Sequence, residues 1–262
     1  MKRYLGIGHL TALELGPSQF IRTAAAAGYD GVGLRLVPVV GQAYPHVPLD
    51  VPAIERAVAD TGLRIYDIEV FRLEAQTKVA DFEPMLAVSQ RLGASELLVH
   101  GADPEAARLT NSFGELCELA ARYGLAANLE PMPWVDVSNM AKALHIIDGA
   151  GRANGALLVD AIHFFRGGNH PAELARVPRE RLRYMQFCDA RAEVPTDMQE
   201  MIRQARGDRL FPGEGGLDLA GLVGALPADL PISLEIPYAK PMPALERMRR
   251  ALGATKTILH AR

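Results

Sequence analysis

Short β-prone runs alternate with helix-like segments along the whole chain, and this alternation limits the fold more than any other feature. The eight apolar runs lie at residues 4–10, 31–36, 63–70, 95–100, 125–130, 156–160, 182–187 and 231–236. Segments in which apolar residues recur at helical spacing lie between them. Several of these end in a glycine, the residue that most often terminates a helix, at Gly28, Gly62, Gly93 and Gly124. The repeating unit is therefore strand, helix and cap.

The number of units distinguishes between two α/β folds. Dividing 262 residues among eight strands leaves about 33 residues for each unit, which fits a (β/α)8 TIM barrel better than an open doubly wound sheet. An open dinucleotide-binding sheet also needs GxGxxG after its first strand, where this chain has GIGHLTALELG. We predict a single TIM barrel domain over residues 1–262, with an open sheet as the alternative.

The longest connection follows the seventh strand, at about residues 188–230. Loops after barrel strands lie at the face that carries the active site, so we predict a long lid loop after strand seven. Its segment PGEGG looks like a phosphate-binding loop. However, Glu214 places a negative charge among the glycines, which favours an unphosphorylated substrate.

The charge of the chain limits which binding partners are expected, and its cysteine content indicates the cellular compartment. The chain has 28 Lys and Arg against 31 Asp and Glu, without the positive excess expected for binding nucleic acid or an anionic membrane. Cys117 and Cys188 lie far apart and outside any zinc-ligand spacing, which is typical of a reducing compartment. Neither an export signal nor a run of 18 apolar residues is evident. We predict a cytoplasmic protein that binds neither nucleic acid nor membranes.

Polar residues stand at or beside the predicted end of every strand, where a barrel carries its reacting groups. In strand order they are His9, Arg35, Glu69, His100, Glu130, Asp160, Gln186 and Glu235. The last four strands contribute three carboxylates and one amide. Neighbouring carboxylates in a half-buried mouth need a cation to neutralise them. The sequence therefore predicts a divalent metal site.

Five motifs add to this pattern. They are NLEP (128–131), LLVDAIHF (157–164), MQFCDAR (185–191), RLFPGEGGLDL (209–219) and SLEIP (233–237). With them the chain resembles, over almost its whole length, the xylose isomerase-like TIM barrels, a superfamily of sugar and sugar-phosphate isomerases and epimerases. The resemblance implies that the metal ligands are Glu130, Asp160, Gln186 and Glu235. It also implies that His163, Asp136 and Arg191 contact the substrate.

Gln186 departs from the family pattern, because members usually carry histidine on strand seven. An all-oxygen ligand set favours Mn²⁺ or Mg²⁺ over Zn²⁺. His9, His100 and Trp134 are further candidates for the substrate pocket. Histidines and aromatic residues at such places otherwise belong to the core.

The resemblance implies a metal-dependent isomerase or epimerase that acts on a ketose or keto-polyol through an enediolate. Glu130 and Glu235 would form the acid and base pair, one removing a proton and the other returning it. A dehydratase or lyase of the same superfamily, acting on 3-dehydroshikimate or a 3-keto-glycoside, needs the same groups and stays open.

Two other functions are known or conceivable for a metal-binding barrel of this kind. A DNA-repair endonuclease on this barrel is disfavoured, because those enzymes hold several zinc ions with a larger set of histidines. A non-catalytic metal-binding or scaffold role is the remaining alternative. Relatives often pair, so a homo-oligomer is left open.

Overall fold

Eight parallel strands form a closed barrel in sequence order, in a computed structural model that describes residues 3–37 and 49–260. The strands are β1 (Leu5–Gly8), β2 (Gly31–Arg35), β3 (Arg64–Leu73), β4 (Glu96–Gly101), β5 (Ala126–Glu130), β6 (Gly155–Asp160), β7 (Leu182–Phe187) and β8 (Ile232–Leu234). Strand β1 pairs with both β2 and β8, which closes the ring. The predicted (β/α)8 TIM barrel is confirmed.

Helices follow the strands around the outside of the barrel. They are α1 (Pro17–Ala27), α2 (Val51–Thr61), α3 (Glu83–Arg91), α4 (Ala106–Ala121), α5 (Met140–Ala150), α6 (Ala161–Arg166), α7 (Met198–Gly207), α8 (Leu219–Ala225) and α9 (Ala244–His260). Gly28 and Gly62 end α1 and α2 with φ of 93° and 71°, a backbone region that disfavours other residues. Over the described ranges, no helix is long and apolar enough to cross a membrane.

Side chains alternate between the two faces of each strand, and this alternation aims the polar residues inward. Along β6, Leu157 and Val159 belong to the large core under the helices, whereas Leu158 belongs to a small separate cluster with Val70, Leu98 and Tyr184. The period of two places Asp160 on the same inner face as Leu158. The same alternation puts polar residues at the ends of β5, β7 and β8 inside the mouth.

The connection from β7 to β8 contains α7 and α8 and is fastened to the barrel by Asp189. Its buried carboxylate accepts hydrogen bonds from the backbone N–H groups of Ala190, Gly213, Gly215 and Leu217, at 2.8–3.1 Å. The N–H groups of the glycine-rich segment therefore bind the Asp189 carboxylate, and they are not free to bind a phosphate. Movement of this connection as a lid stays a prediction.

Candidate active site

Four side chains from the last four strands meet at the mouth of the barrel. Glu130 and Asp160 end β5 and β6, Gln186 lies in β7, and Glu235 follows β8 directly. Each residue is at most 3% exposed. The amide of Gln186 donates through Nε2 to Glu235 Oε1 at 3.1 Å. These are the four residues for which the sequence predicts metal binding.

Two members of this group, Glu130 and Asp160, belong to a cluster in the described chain that could hold a metal ion; its third member is His163, and Glu235 is not part of it. Glu130, Asp160 and His163 each offer an atom within 4.8 Å of the other two. In the described part of the chain, Glu130 Oε1 and Gln186 Oε1 are buried without a hydrogen-bond partner. Buried oxygen atoms are rarely left unpaired, so these two are available to a ligand. Carboxylate and amide oxygens suit hard divalent ions.

His100 fixes the orientation of Glu130. Its Nε2 lies 2.7 Å from Glu130 Oε2. Burial lowers the pKa of His100 to about 3, and the charges of Arg35 and Arg72 lower it further. The ring is therefore neutral near pH 7, and it donates its one N–H to the carboxylate when Nε2 carries the proton.

Arg209 brings a positive charge from the chain itself into the site, a role that the sequence analysis missed. Its guanidinium pairs with Asp160 Oδ2 at 2.7 Å and with Glu235 Oε2 at 3.0 Å, and the side chain is 2% exposed. Arg209 Nε also donates to the carbonyl of Ala205. The one sequence feature that pointed to Arg209 was its position at the start of the motif RLFPGEGGLDL (209–219). Asp160 and Glu235 thus already have a positively charged partner supplied by the chain.

Burial dominates the electrostatics of the carboxyl groups. It raises the pKa of Glu235 to about 8, against the lowering effect of Arg209. The pKa of Glu130 is also raised, by burial and then by the charge of Asp160. Burial acts in the same direction on Asp160, but Arg209 and His163 outweigh it and the pKa of Asp160 is lowered. In the absence of a metal ion, Asp160 is thus the most readily ionised of the three.

Three of the predicted substrate residues line one cavity at the mouth. The rings of His163 and Trp134 pack edge to face, with their centroids 4.9 Å apart. His100 lines the same cavity. The complete lining is Leu10, Arg35, Val70, Arg72, Leu98, His100, Glu130, Met132, Trp134, His163, Ala205, Arg206, Arg209 and Glu235.

The other three predicted substrate residues are placed elsewhere. His9 is buried against Phe20, with ring centroids 4.5 Å apart, and its Nε2 contacts the carbonyl of Leu15. Asp136 is exposed and borders a depression between α4 and α5. Arg191 pairs with Asp208 at 2.9 Å and is half exposed. None of the three is in the cavity lining that the described residues form, and their contact with substrate stays a prediction.

Residues 21–258 match the sequence pattern of the xylose isomerase-like TIM barrels. The chain belongs to this family. Over 232 residues it is 31% identical to a 3-dehydroshikimate dehydratase from Pseudomonas aeruginosa, a match that covers 82% of this chain and 35% of the dehydratase. Over 118 residues it is 26% identical to an inosose isomerase from Halalkalibacterium halodurans, covering 44% of this chain and 40% of the isomerase.

A solved structure of a protein called IOLI, which holds a zinc atom, shares the fold with a TM-score of 0.81. It is 18% identical, and the match covers 98% of each chain. The present chain spans 35% of the length of the dehydratase. The relatives of this barrel are thus enzymes of different reaction types, a dehydratase and an isomerase.

Proposed function

We propose that the chain is a divalent-metal-dependent isomerase or epimerase that acts on a ketose or keto-polyol. The observation that carries this proposal is the pair of buried carboxyl groups, Glu130 and Glu235, in the lining of one cavity. Strands β5 and β8 are three positions apart in the closed barrel, so the two groups approach the cavity from different directions. A pair placed in this way suits removal of a proton at one face and its return at another.

Glu130, Asp160, Gln186 and Glu235 would hold the metal, for which we propose Mn²⁺ or Mg²⁺. The zinc atom in the IOLI structure supports a divalent ion in this fold. When bound, such an ion polarises a carbonyl oxygen and so acidifies the neighbouring C–H bond.

The hydrogen bonds at the two glutamates orient them for proton transfer. His100 occupies Glu130 Oε2 and leaves Oε1 directed to other ligands. Gln186 and Arg209 contact the two oxygens of Glu235 separately. Both carboxyl groups are held in place before substrate binds, which lowers the cost of reaching the reactive arrangement. The half-buried Trp134 packs edge to face against His163 and contributes an apolar wall to the cavity.

A dehydratase is the second candidate, favoured by the 31% identity to 3-dehydroshikimate dehydratase. The first step is the same: a carboxylate removes the proton next to the carbonyl. The electron pair of that C–H bond then forms a carbon–carbon double bond, and the hydroxyl on the β carbon leaves with a proton from a carboxylic acid as water. Glu130 and Glu235 supply both groups. The matching residues make up only 35% of that relative.

Solvent deuterium exchange tests the step that both candidates share. Protein dialysed against Mn²⁺, Mg²⁺ or Zn²⁺ is incubated in D₂O with ketoses, an inosose and 3-dehydroshikimate. A product that gains deuterium but loses no atoms of the substrate skeleton indicates isomerisation or epimerisation. A product that has lost one water indicates dehydration. Metal content is measured in parallel, and we expect about one ion per chain.

The variant Glu235→Gln keeps the size of the side chain and removes its ability to take up or release a proton. We expect turnover to fall by about 10²-fold or more. Near wild-type turnover would reject the assignment of Glu235. The cytoplasmic location and a homo-oligomer stay predictions.

A further inference from the structure

One wall of the cavity at the barrel mouth comes from residues 191–208, which we call the flap. The flap consists of α7 and the irregular segment before it. Ala205 and Arg206, near the end of α7, line the cavity together with Trp134 and His163 from the barrel side. The position of the flap therefore determines how far the cavity is open to solvent.

Little apolar surface holds the flap to the barrel. The buried residues of α7 are Gln204 and Ala205, whereas α4 buries an apolar face along its length. Within the described chain, the large apolar residues with the highest exposure are Val194 and Met198, at 52% and 44%, and both lie on the flap. Segments with little buried apolar surface open locally at a low free-energy cost.

Arg166, the last residue of α6, holds the flap through polar contacts. Its Nη2 donates to the carbonyl of Arg191 at 2.8 Å and to Oε1 of Gln204 at 3.2 Å. Its Nη1 donates to the carbonyl of Glu193. One guanidinium thus binds both the segment before α7 and α7 itself.

The helix that carries Arg166 also carries residues of the active site. Asp160 caps α6 by accepting from the backbone N–H of His163 at 3.1 Å. Arg166 lies about one helical turn beyond His163. The flap is therefore positioned relative to Asp160 and His163 by a single short helix.

The acceptors that Arg166 contacts are all neutral. Among the residues that the structure describes, no carboxylate forms an ion pair with Arg166, although the side chain is only 8% exposed. Burial, and then the charge of Arg191, lower its pKa, but an arginine keeps its proton under ordinary conditions. A buried charge with neutral partners regains hydration when its contacts break. Release of the flap is therefore less costly than the rupture of a buried ion pair.

The two ends of the flap are fixed independently of Arg166. Asp189 and Arg209 flank the flap and are 1% and 2% exposed. Arg191 and Asp208, at the ends of the flap, pair with each other at 2.9 Å. These contacts can remain while the middle of the flap moves away from the cavity, so the ends can serve as hinges.

We propose that Arg166 is a positioning residue that holds the flap against the cavity, and that a ligand enters when the contacts of Arg166 open. The inference rests on the proposed function only for the kind of ligand that enters. Access to the cavity can be measured without turnover, so the two proposals can fail separately.

Trp134 provides the first measurement, because it is the single tryptophan of the chain and lines the cavity. Quenching of its fluorescence by acrylamide reports how readily a small neutral molecule reaches the cavity. Arg166→Met keeps much of the apolar stem and removes the donors. We expect it to raise the quenching constant, and we expect Arg166→Lys, which keeps the charge and some donors, to lie between Arg166→Met and the wild type.

Amide hydrogen exchange provides the second measurement. Exchange in α7 should become about tenfold faster in Arg166→Met, which corresponds to the loss of one charge-assisted hydrogen bond. Exchange in α4 should be unchanged, because α4 has no contact with Arg166 among those that hold the flap. A role in global stability alone would speed exchange in both helices.

Two further variants complete the test. Gln204→Met removes the acceptor on α7 and leaves the two carbonyl contacts of Arg166, so it should produce a smaller change in the same direction. It decides the outcome if Arg166→Met does not fold. Arg203→Met is the matched control, because Arg203 lies on α7 but pairs with Glu200 and Asp208 within the flap. It should leave the quenching of Trp134 at the wild-type value.

Unchanged quenching and exchange in the folded variants of Arg166 and Gln204 would overturn the role of Arg166. Faster exchange spread equally over α7 and α4 would also overturn it. Incorporation of solvent deuterium into a substrate by a protein whose flap does not respond to Arg166→Met rejects only this inference. A flap that responds, in a protein that exchanges no substrate proton, rejects only the proposed function.

Discussion

Arg209 donates to the carboxylate of Asp160 at 2.7 Å, and both side chains are at most 2% exposed. The same guanidinium reaches Glu235 at 3.0 Å. A cation supplied by the chain therefore contacts two of the four residues proposed to bind a metal. Metal binding and this ion pair draw on the same carboxylates, and the first prediction follows from that competition.

Replacing Arg209 with methionine leaves two buried carboxylates without their partner. Breaking a buried ion pair by removal of one member costs about 3–5 kcal/mol, so the free energy of unfolding of metal-free Arg209→Met should fall by that amount. Added Mn²⁺ should stabilise the variant more than the wild type, because the metal would replace the lost positive charge. Urea unfolding with and without Mn²⁺ measures both effects.

Arg203→Met serves as the control for Arg209→Met. Arg203 is an exposed arginine in an ion pair with Glu200, and exposed pairs contribute about 0–1 kcal/mol. Equal responses of wild type and Arg209→Met to Mn²⁺ would contradict competition for the carboxylates.

Gln186 should determine which metal the site prefers. Gln186→His introduces an imidazole nitrogen, which favours Zn²⁺ over Mn²⁺ and Mg²⁺. After dialysis against an equimolar mixture of the three ions, we expect the variant to retain more zinc than the wild type does. Gln186→Ala controls for loss of the Nε2 contact with Glu235 and should retain less of every ion. An unchanged metal ratio in Gln186→His would show that residue 186 is not a ligand.

The barrel and the inward-facing residues at the strand ends could be predicted from the sequence. The positions of residues in the segments that connect strands and helices could not. Glu130 and Asp160 follow from the period of two along a strand. His9 does not, because β1 ends at Gly8 and a 3₁₀ turn (His9–Ala12) directs the ring to Phe20. Arg209 reaches the site along a path that depends on distant contacts, which local patterns do not encode.

Asp189 is the contact that fixes this path. Oδ2 of Asp189 accepts from the N–H groups of Gly213 and Gly215, and Oδ1 accepts from those of Ala190 and Leu217; Asp189→Asn keeps the volume of the side chain but replaces one of these two acceptor oxygens with an NH₂ donor. We expect a loss of about 1–3 kcal/mol in the free energy of unfolding, the cost of leaving buried donors unpaired. Amide hydrogen exchange at Gly213, Gly215 and Leu217 should become faster.

Asp218→Asn is the matched control on the same connection. Asp218 caps α8 by accepting from the Gly221 N–H, and asparagine caps a helix about as well as aspartate. Its stability should remain within about 0.5 kcal/mol of the wild type. Unchanged exchange at Gly213 and Gly215 in Asp189→Asn would show that the carboxylate does not hold the segment.

Asp67, deeper in the barrel, should make the stability depend on pH. Its carboxyl group is buried, and neither oxygen has a hydrogen-bond partner within the described chain. Burial, together with the charges of Glu69, Glu235, Glu96 and Glu130, raises its pKa well above the usual value. The folded state therefore keeps a proton that the unfolded chain releases above about pH 4.

Because the unfolded state binds fewer protons in this range, the free energy of unfolding falls as the pH rises, until the pKa of the folded state is passed. The slope from one group is at most about 1.4 kcal/mol per pH unit. Asparagine has no proton to release on unfolding. The free energy of unfolding of Asp67→Asn should therefore exceed that of the wild type between pH 4 and pH 8, and the excess should be larger at pH 8 than at pH 4. Urea unfolding at pH 4, 6 and 8 measures the difference, and Asp60→Asn, an exposed residue paired with Arg22, should follow the wild-type slope. Parallel curves for Asp67→Asn and wild type would mean that Asp67 is ionised in the folded protein, with a compensating charge beside it.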